Sequence, residues 1–233
     1  ASARTGRCRC ARRLLAPLYL LIEAPLSGAA RGVAYQLGQG GGVAAAQAAA
    51  SELAALRAPD RQGLARYGVR TGAYDLFLPP MLKPAAVQMR LMLWAAAQGV
   101  KPVAGLPDGR RPSAKVADGL AREAYAAAGY RVAGPLAIRV DMLERLRLEL
   151  RRLRPLPAAL PGALFGLLGA SVADLAAAGP ALGIELVVEA GALRLLRTPD
   201  EQPWRRRAAQ RPRPSRKPRD ADSPFAALRR IRL

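Results

Sequence analysis

The sequence predicts a mainly α-helical chain: a helical body, then a small helix-turn-helix plus β-hairpin unit, then a disordered basic tail. Three observations carry this expectation. The apolar share is 51%, yet 50 of the 233 residues are Ala and only 11 are aromatic, so a core must be built from Leu and Ala, both strong helix formers. Apolar residues recur at helical spacing, most clearly Val140, Leu143, Leu146, Leu150 and Leu153. From Gln202 onward Arg and Pro displace the apolar residues, and such a segment cannot bury enough surface to fold. The expected divisions are 1–13, a disordered basic N-terminus; 14–134, a helical domain; 135–199, a long helix plus the small unit; and 200–233, the tail.

Each element has a local reason. Residues 12–37 read as two helices joined near Pro25-Leu26-Ser27-Gly28, with Ser27 or Gly28 capping the second. Gly38-Gln39-Gly40-Gly41-Gly42 is a loop by composition, and Ala-rich 43–57, with Val43, Leu53 and Leu56, is expected to be helical. Asp60 caps a short helix carrying Leu64 and Tyr67 and ended by Gly68. Residues 69–84 break the helical rhythm and read as extended. Pro84 opens the next helix, since a first turn leaves its N–H without a partner anyway; that helix runs to about Gln98 and turns Val87, Leu91 and Trp94 inward. Lys101 to Lys115 is a Gly/Pro-rich basic loop, and 118–129 is another Ala-rich helix closed by Gly129.

Residues 139–154 give the clearest helix, supported by Asp141 four residues before Arg145 and ended by Pro155. Pro161 starts a helix with Leu164, Phe165 and Leu168, which Gly169 closes; Ser171 with Asp174 opens a second, which Gly179-Pro180 stops. Ile184–Glu189 and Ala192–Arg197 read as strands around Ala190-Gly191. Helix, turn, helix and hairpin is winged-helix-like order. The second helix of this unit, Val-Ala-Asp-Leu-Ala-Ala-Ala, carries no cation, so the unit suits packing or protein contact better than major-groove readout.

Composition narrows the chemistry. The chain has no His, which removes His acid–base chemistry, Ser-His-Asp triads and His-containing metal sites. Cys8 and Cys10 cannot fill a tetrahedral zinc site, and a reducing, cytoplasmic compartment is expected. The loop at 38–42 lacks the last glycine of a dinucleotide fingerprint, no Walker A sequence occurs, and no pair of carboxylates stands in a catalytic spacing. Catalytic and metal-ligating residues are therefore expected to be none. The apolar run Leu14–Ile22 is interrupted by Pro17 and closed by Glu23, too short for a membrane span.

Charge is the positive signal. Net charge is +20, with 37 Lys and Arg against 17 Asp and Glu. Arg205, Arg206, Arg207, Arg211, Arg213, Arg216, Lys217 and Arg219 crowd the tail. These side chains, together with Arg70, Lys83, Arg110, Arg111 and Lys115 on the body, are the expected nucleic-acid contacts. They would bind RNA or DNA through phosphates, with little base information. Asp222 or Ser223 caps a last short helix whose stripe Phe225, Leu228 and Ile231 would dock on the body or a partner.

Five stretches resemble one family in order: Leu-Ser-Gly-Ala-Ala-Arg-Gly-Val-Ala-Tyr-Gln-Leu (26–37), Tyr-Gly-Val-Arg-Thr-Gly-Ala-Tyr-Asp-Leu-Phe-Leu-Pro-Pro-Met-Leu-Lys-Pro (67–84), Ala-Gly-Tyr-Arg (128–131), Arg-Val-Asp-Met-Leu-Glu-Arg-Leu (139–146) and Asp-Ser-Pro-Phe-Ala-Ala-Leu (222–228). They look like the C-terminal accessory region of alphaproteobacterial superfamily-two helicases related to the mitochondrial degradosome RNA helicase. The resemblance implies a mostly helical region that follows two RecA-like motors in cis. In the family those motors bind ATP and Mg and unwind duplex RNA or DNA; no part of this chain matches them, so it implies no cofactor and no catalytic residue here. The opening Ala-Ser-Ala, without Met, fits a fragment. The alternative is a free-standing basic adaptor that binds a protein partner through the winged-helix-like unit and the last helix.

Overall fold

In a computed structural model the structure describes residues 2–26, 28–101, 104–153, 156, 158–189 and 192–197, with backbone alone for 2–11. The tail cations Arg205 to Arg219 and the stripe Phe225, Leu228 and Ile231 lie outside the described residues, as does Ser27. Within them the chain is mainly helical, with three small sheets.

α1 (Ser2–Ile22) runs through the segment expected to be a disordered N-terminus, with Pro17 inside it. Before Pro17 the helix holds a single Gly, Gly6, and no other Pro, and one glycine costs only about 1 kcal/mol of helix preference. Its last carbonyls are capped from α2 (Gly28–Gln39), where Arg31 Nη1 donates to Ile22 O at 2.8 Å and Ala24 O at 3.1 Å.

The Ala-rich run 43–57 is not one helix. Gly41 and Gly42 take φ of +61° and +93° and turn the chain into β1 (Val43–Ala45); α3 is confined to Ala50–Ala55. Val43 pairs across from Phe77, and this non-local ladder overrides the helical preference of alanine. A Cβ on Gly42 would lie 2.5 Å from Met81 Cγ, so only glycine fits there. α4 (Ala58–Arg66) starts two residues before Asp60. Asp60 caps it from the third position, accepting the Arg57 N–H at 3.0 Å. β2 (Arg70–Thr71) and β3 (Asp75–Phe77) follow, giving the antiparallel order β1-β3-β2.

A 3-10 turn (Pro79–Leu82) leads to α5 (Pro84–Gln98), which Gly99 closes in the left-handed conformation. Val87 is buried; Leu91 and Trp94 are only half-buried. β4 (Ser113–Lys115) lies inside the expected loop, and α6 is shorter than expected (Arg122–Ala128). The hairpin β5 (Tyr130–Ala133) and β6 (Leu136–Arg139) completes a second sheet, β4-β6-β5. α7 (Val140–Arg152) buries Val140, Leu143, Leu146 and Leu150, as its spacing predicts. β7 (Ala158–Ala159), α8 (Gly162–Leu168), α9 (Val172–Ala178), β8 (Glu185–Glu189) and β9 (Ala192–Arg197) end the described chain, with sheet order β7-β9-β8. Ser171 caps α9, accepting the Asp174 N–H at 3.1 Å.

One arrangement thus occurs three times. A helix precedes a first strand, one or two helices follow, and a hairpin returns so that the first strand pairs with the last. The successions are α2-β1-α3-α4-β2-β3, α5-β4-α6-β5-β6 and α7-β7-α8-α9-β8-β9. The sequence signals reveal only the third. Leu37, Leu53 and Leu76 with Leu21 of α1 fill the first unit, Val87, Tyr125 and Tyr130 the second, and Leu146, Leu168, Leu175 and Leu195 the third. Each fully buried Leu contributes about 1.5–3 kcal/mol as an upper estimate.

Polar ties join the units. Arg131 of β5 grips Asp75 of β3 with Nε–Oδ2 2.8 Å and Nη2–Oδ1 2.7 Å, and Nη2 also donates to Tyr74 O at 2.9 Å. The Tyr74 hydroxyl donates to Leu182 O, Ala73 N donates to Glu144 Oε2, and Ser113 Oγ donates to Leu168 O. Arg90, 4% exposed, donates through Nη2 to Gly40 O and Ala126 O, carbonyls at the C-terminal ends of α2 and α6. That geometry suits the negative ends of two helix dipoles. Its Nε and Nη1 have no partner among the described residues, and burial lowers its pKa to about 10.

Candidate nucleic-acid interface

The body cations expected to bind, Arg70, Lys83, Arg110, Arg111 and Lys115, fall into three places. Arg70 stands on β2, at the free edge of the first sheet. It lines an open groove of about 550 Å³ together with Arg61 and Ala65 of α4, Pro79, and Asp141 and Glu144 of α7. Lys83, Arg110 and Arg111 are brought together beyond Pro79. Gly109, at φ +87°, lies so close to the backbone at 82–84 that a Cβ there would stand 3.0 Å from Leu82 O and 3.5 Å from Pro84 Cα. The chain segments carrying these three exposed side chains therefore meet. Arg139 pins the loop from below, donating to Gly109 O at 2.6 Å, and Tyr130 donates its hydroxyl to Arg111 O at 2.5 Å. Lys115 sits apart from this group. Its Nζ lies 3.8 Å from Asp174 on α9, so it faces the third unit.

The acids around the groove are already engaged. Asp141 is bound by Arg139 at 2.7 and 3.1 Å, and Glu144 by Arg147 at 2.5 Å. Burial pulls the Arg139 guanidinium pKa down, but the hydrogen bonds it donates to Asp141 and the charge of that carboxylate outweigh it, and the net direction is up. These acids do not neutralise the arginines of α4. Arg57, Arg61, Arg66 and Arg70 are exposed and make no ion pair among the described residues. Arg110 shares its charge with Asp108 at 3.3 Å, with both side chains largely in solvent, where such a pair is worth about 0–1 kcal/mol.

Four residues of this face escaped the sequence reading: Arg57, Arg61, Gln62 and Arg66. The signal was present as charge density, because the stretch 57–70 holds Arg57, Arg61, Arg66 and Arg70 against one acid, Asp60. The third unit presents the opposite character. α9 carries no cation, while β8 exposes Glu185, Val187, Val188 and Glu189, with Glu189 held by Arg194 at 2.8 Å.

Among the described residues no group of three or more His, Cys, Asp or Glu could hold a metal, and no helix is long and apolar enough to cross a membrane. No family model matches the chain, and no curated protein or solved structure matches it either.

Proposed function

We propose that this chain is the nucleic-acid-contacting accessory region of an ATP-dependent helicase, non-catalytic by itself and cytoplasmic. RNA or DNA is held mostly through phosphates, while ATP and Mg belong to motor domains in cis. The observation that carries the binding reading is the set of unpaired arginines on α4 and β2, with Lys83 and Arg111 nearby, around acids that other arginines already hold. The helicase context rests on the resemblance of the five sequence stretches. The three units are winged-helix-like in this reading: strand, helices and hairpin close a three-stranded sheet in one order.

The tail adds a second contact through Arg205 to Arg219. A salt titration on one fluorescent single strand tests the reading. The slope of log K against log salt is about −0.7 per phosphate contact. If roughly five tail cations engage, deleting 204–233 flattens it by about 3 to 4 units. A full-length chain without salt-dependent binding overturns the reading. An adaptor role keeps one supporting observation: the acidic and apolar strand β8, with Val188 53% exposed, suits a protein partner better than a polyanion.

A further inference from the structure

The repeated arrangement makes the units comparable position by position. In each, one helix stands immediately before the hairpin: α4, α6 and α9. In helix-turn-helix modules that helix enters a groove of the nucleic acid. The three differ sharply in what they present. α9 presents no cation. α6 exposes Arg122 beside Glu123, which offset each other. α4 exposes Arg61, Gln62 and Arg66, with Arg57 just before it and Arg70 just after. Ala58 and Ala65 lie on the same exposed face, and their small side chains leave room for the helix backbone to approach a duplex. The single acid of α4, Asp60, is turned back onto the Arg57 N–H. Leu64, 3% exposed, anchors the opposite side in the core. At 1.5 Å per residue this helix is about 13 Å long.

We propose that the first unit binds B-form duplex DNA, with α4 in the major groove. Arg57, Arg61, Arg66 and Arg70 contact the phosphates on its walls, and Gln62 reaches the base edges. The inference rests on the nucleic-acid reading above and narrows it to one surface and one ligand class. The ligand class follows from dimensions: the major groove of B-DNA, roughly 12 Å wide, admits an α-helix, whereas that of A-form RNA is deep and narrow. Gln can make a bidentate contact to adenine N6 and N7. The hairpin does not insert as a second reader. Its tip is held inside the molecule, with Ala73 2% exposed and bound to Glu144, and with the Tyr74 hydroxyl on Leu182 O. Arg70 and Thr71, the exposed first strand of the hairpin, are left to contact the backbone.

The test is fluorescence anisotropy of the full chain on a 20-bp DNA duplex, an RNA duplex of the same sequence and the single DNA strand. The variant is Arg61→Ala/Arg66→Ala/Arg70→Ala. All three positions are exposed; at 61 and 66 Ala is the best helix former, and at 70 it keeps the backbone N–H and C=O that pair with Phe77, so the fold is kept. On duplex DNA the salt slope should fall by about 2.7 units, at about 0.9 per lost phosphate contact, and affinity near physiological salt by about tenfold or more. On RNA duplex and single strand the slope should change by less than about one unit. A control variant, Arg122→Ala/Arg197→Ala, removes two exposed cations on the second and third units and should leave the DNA slope within about half a unit of wild type. An unchanged DNA slope in the triple variant, or equal losses on all three ligands, overturns the inference. Tail deletion that abolishes binding while the triple variant binds normally overturns it too, yet leaves the broader reading standing. Absence of salt-dependent binding to any of the three ligands defeats both.

Discussion

Replacing Asp75 with Ala should be among the most damaging single changes in the molecule, because it breaks the clamp between the first two units from one side. Asp75 accepts two hydrogen bonds from the Arg131 guanidinium, and its side chain is 9% exposed. Removing one member of a buried ion pair costs about 3–5 kcal/mol, since the other charge is left without its partner. Here the Arg131 side chain is 33% exposed, its bond to Tyr74 O survives, and the guanidinium stays 5.8 Å from the Tyr74 ring. Water and these contacts cushion the loss, so the lower end, about 3 kcal/mol, is expected. For a chain of this size that lowers Tm by roughly 6–12 °C. Arg131→Met should cost at least as much, because Asp75 is the more deeply buried partner. The double variant should cost about 2 kcal/mol less than the sum of the singles. Urea melts followed by circular dichroism at 222 nm supply the cycle. An Asp75→Ala midpoint indistinguishable from wild type, or strictly additive costs, would refute the clamp.

Four positions inside the fold give further outcomes. Arg90→Met should be near neutral or stabilising at pH 7, within about 1 kcal/mol, because it removes a buried cation with two unpartnered nitrogens; a loss above about 3 kcal/mol by urea melting would contradict this. Tyr130 has its pKa raised to about 12, chiefly by burial. The folded state therefore keeps a proton that the unfolded state releases above about pH 10, and the stabilisation by Tyr130 is full below that pH and lost as pH rises toward 12. Tyr130→Phe should cost about 1–2 kcal/mol at pH 7 through the lost bond to Arg111 O, and the gap to wild type should narrow in melts at pH 11. Gly42→Ala should destabilise by about 2–3 kcal/mol through its positive φ and the Met81 contact. By contrast, Gly63→Ala, inside α4, should stabilise by about 0.5–1 kcal/mol, because its Cβ would meet only Leu26 Cδ2 at 3.4 Å. Paired thermal melts check both signs.

The parts of this fold legible in the sequence are those fixed by near neighbours. α7 declares itself by its leucine spacing, α9 by Ser171 and Asp174, and the last hairpin by two β-rich runs around Ala190-Gly191. β1 and β4 stayed hidden, because Val43–Ala45 and Ser113–Lys115 become strands only by pairing with distant Phe77 and Ile138. The hairpin Tyr130–Arg139 was missed although Gly134, at φ +55°, and Pro135 mark its turn. The Ala-rich strands carry little β-preference of their own. The repetition was invisible because the three units fill equivalent cores with different Leu, Ala and Tyr positions.

For the site, charge composition located Arg70, Lys83, Arg110 and Arg111 but not their convergence, which depends on the close packing of Gly109 on 82–84. Composition also overstated the free charge. Arg90, Arg131, Arg139 and Arg147 are internal struts, held by carbonyls or by Asp75, Asp141 and Glu144. α4, whose arginines have no such partners, is harder to read as a recognition helix, because the hairpin after it has strands of only two and three residues.

Hydrogen–deuterium exchange of the full chain, with and without a saturating oligonucleotide duplex, tests the central claim most directly, because it reports where nucleic acid sits without altering a residue. The account predicts slowed exchange in peptides covering 57–71 and 108–112, with the strand β8 at 185–189 unchanged. Protection confined to β8, or absent from 57–71 at saturation, would contradict it.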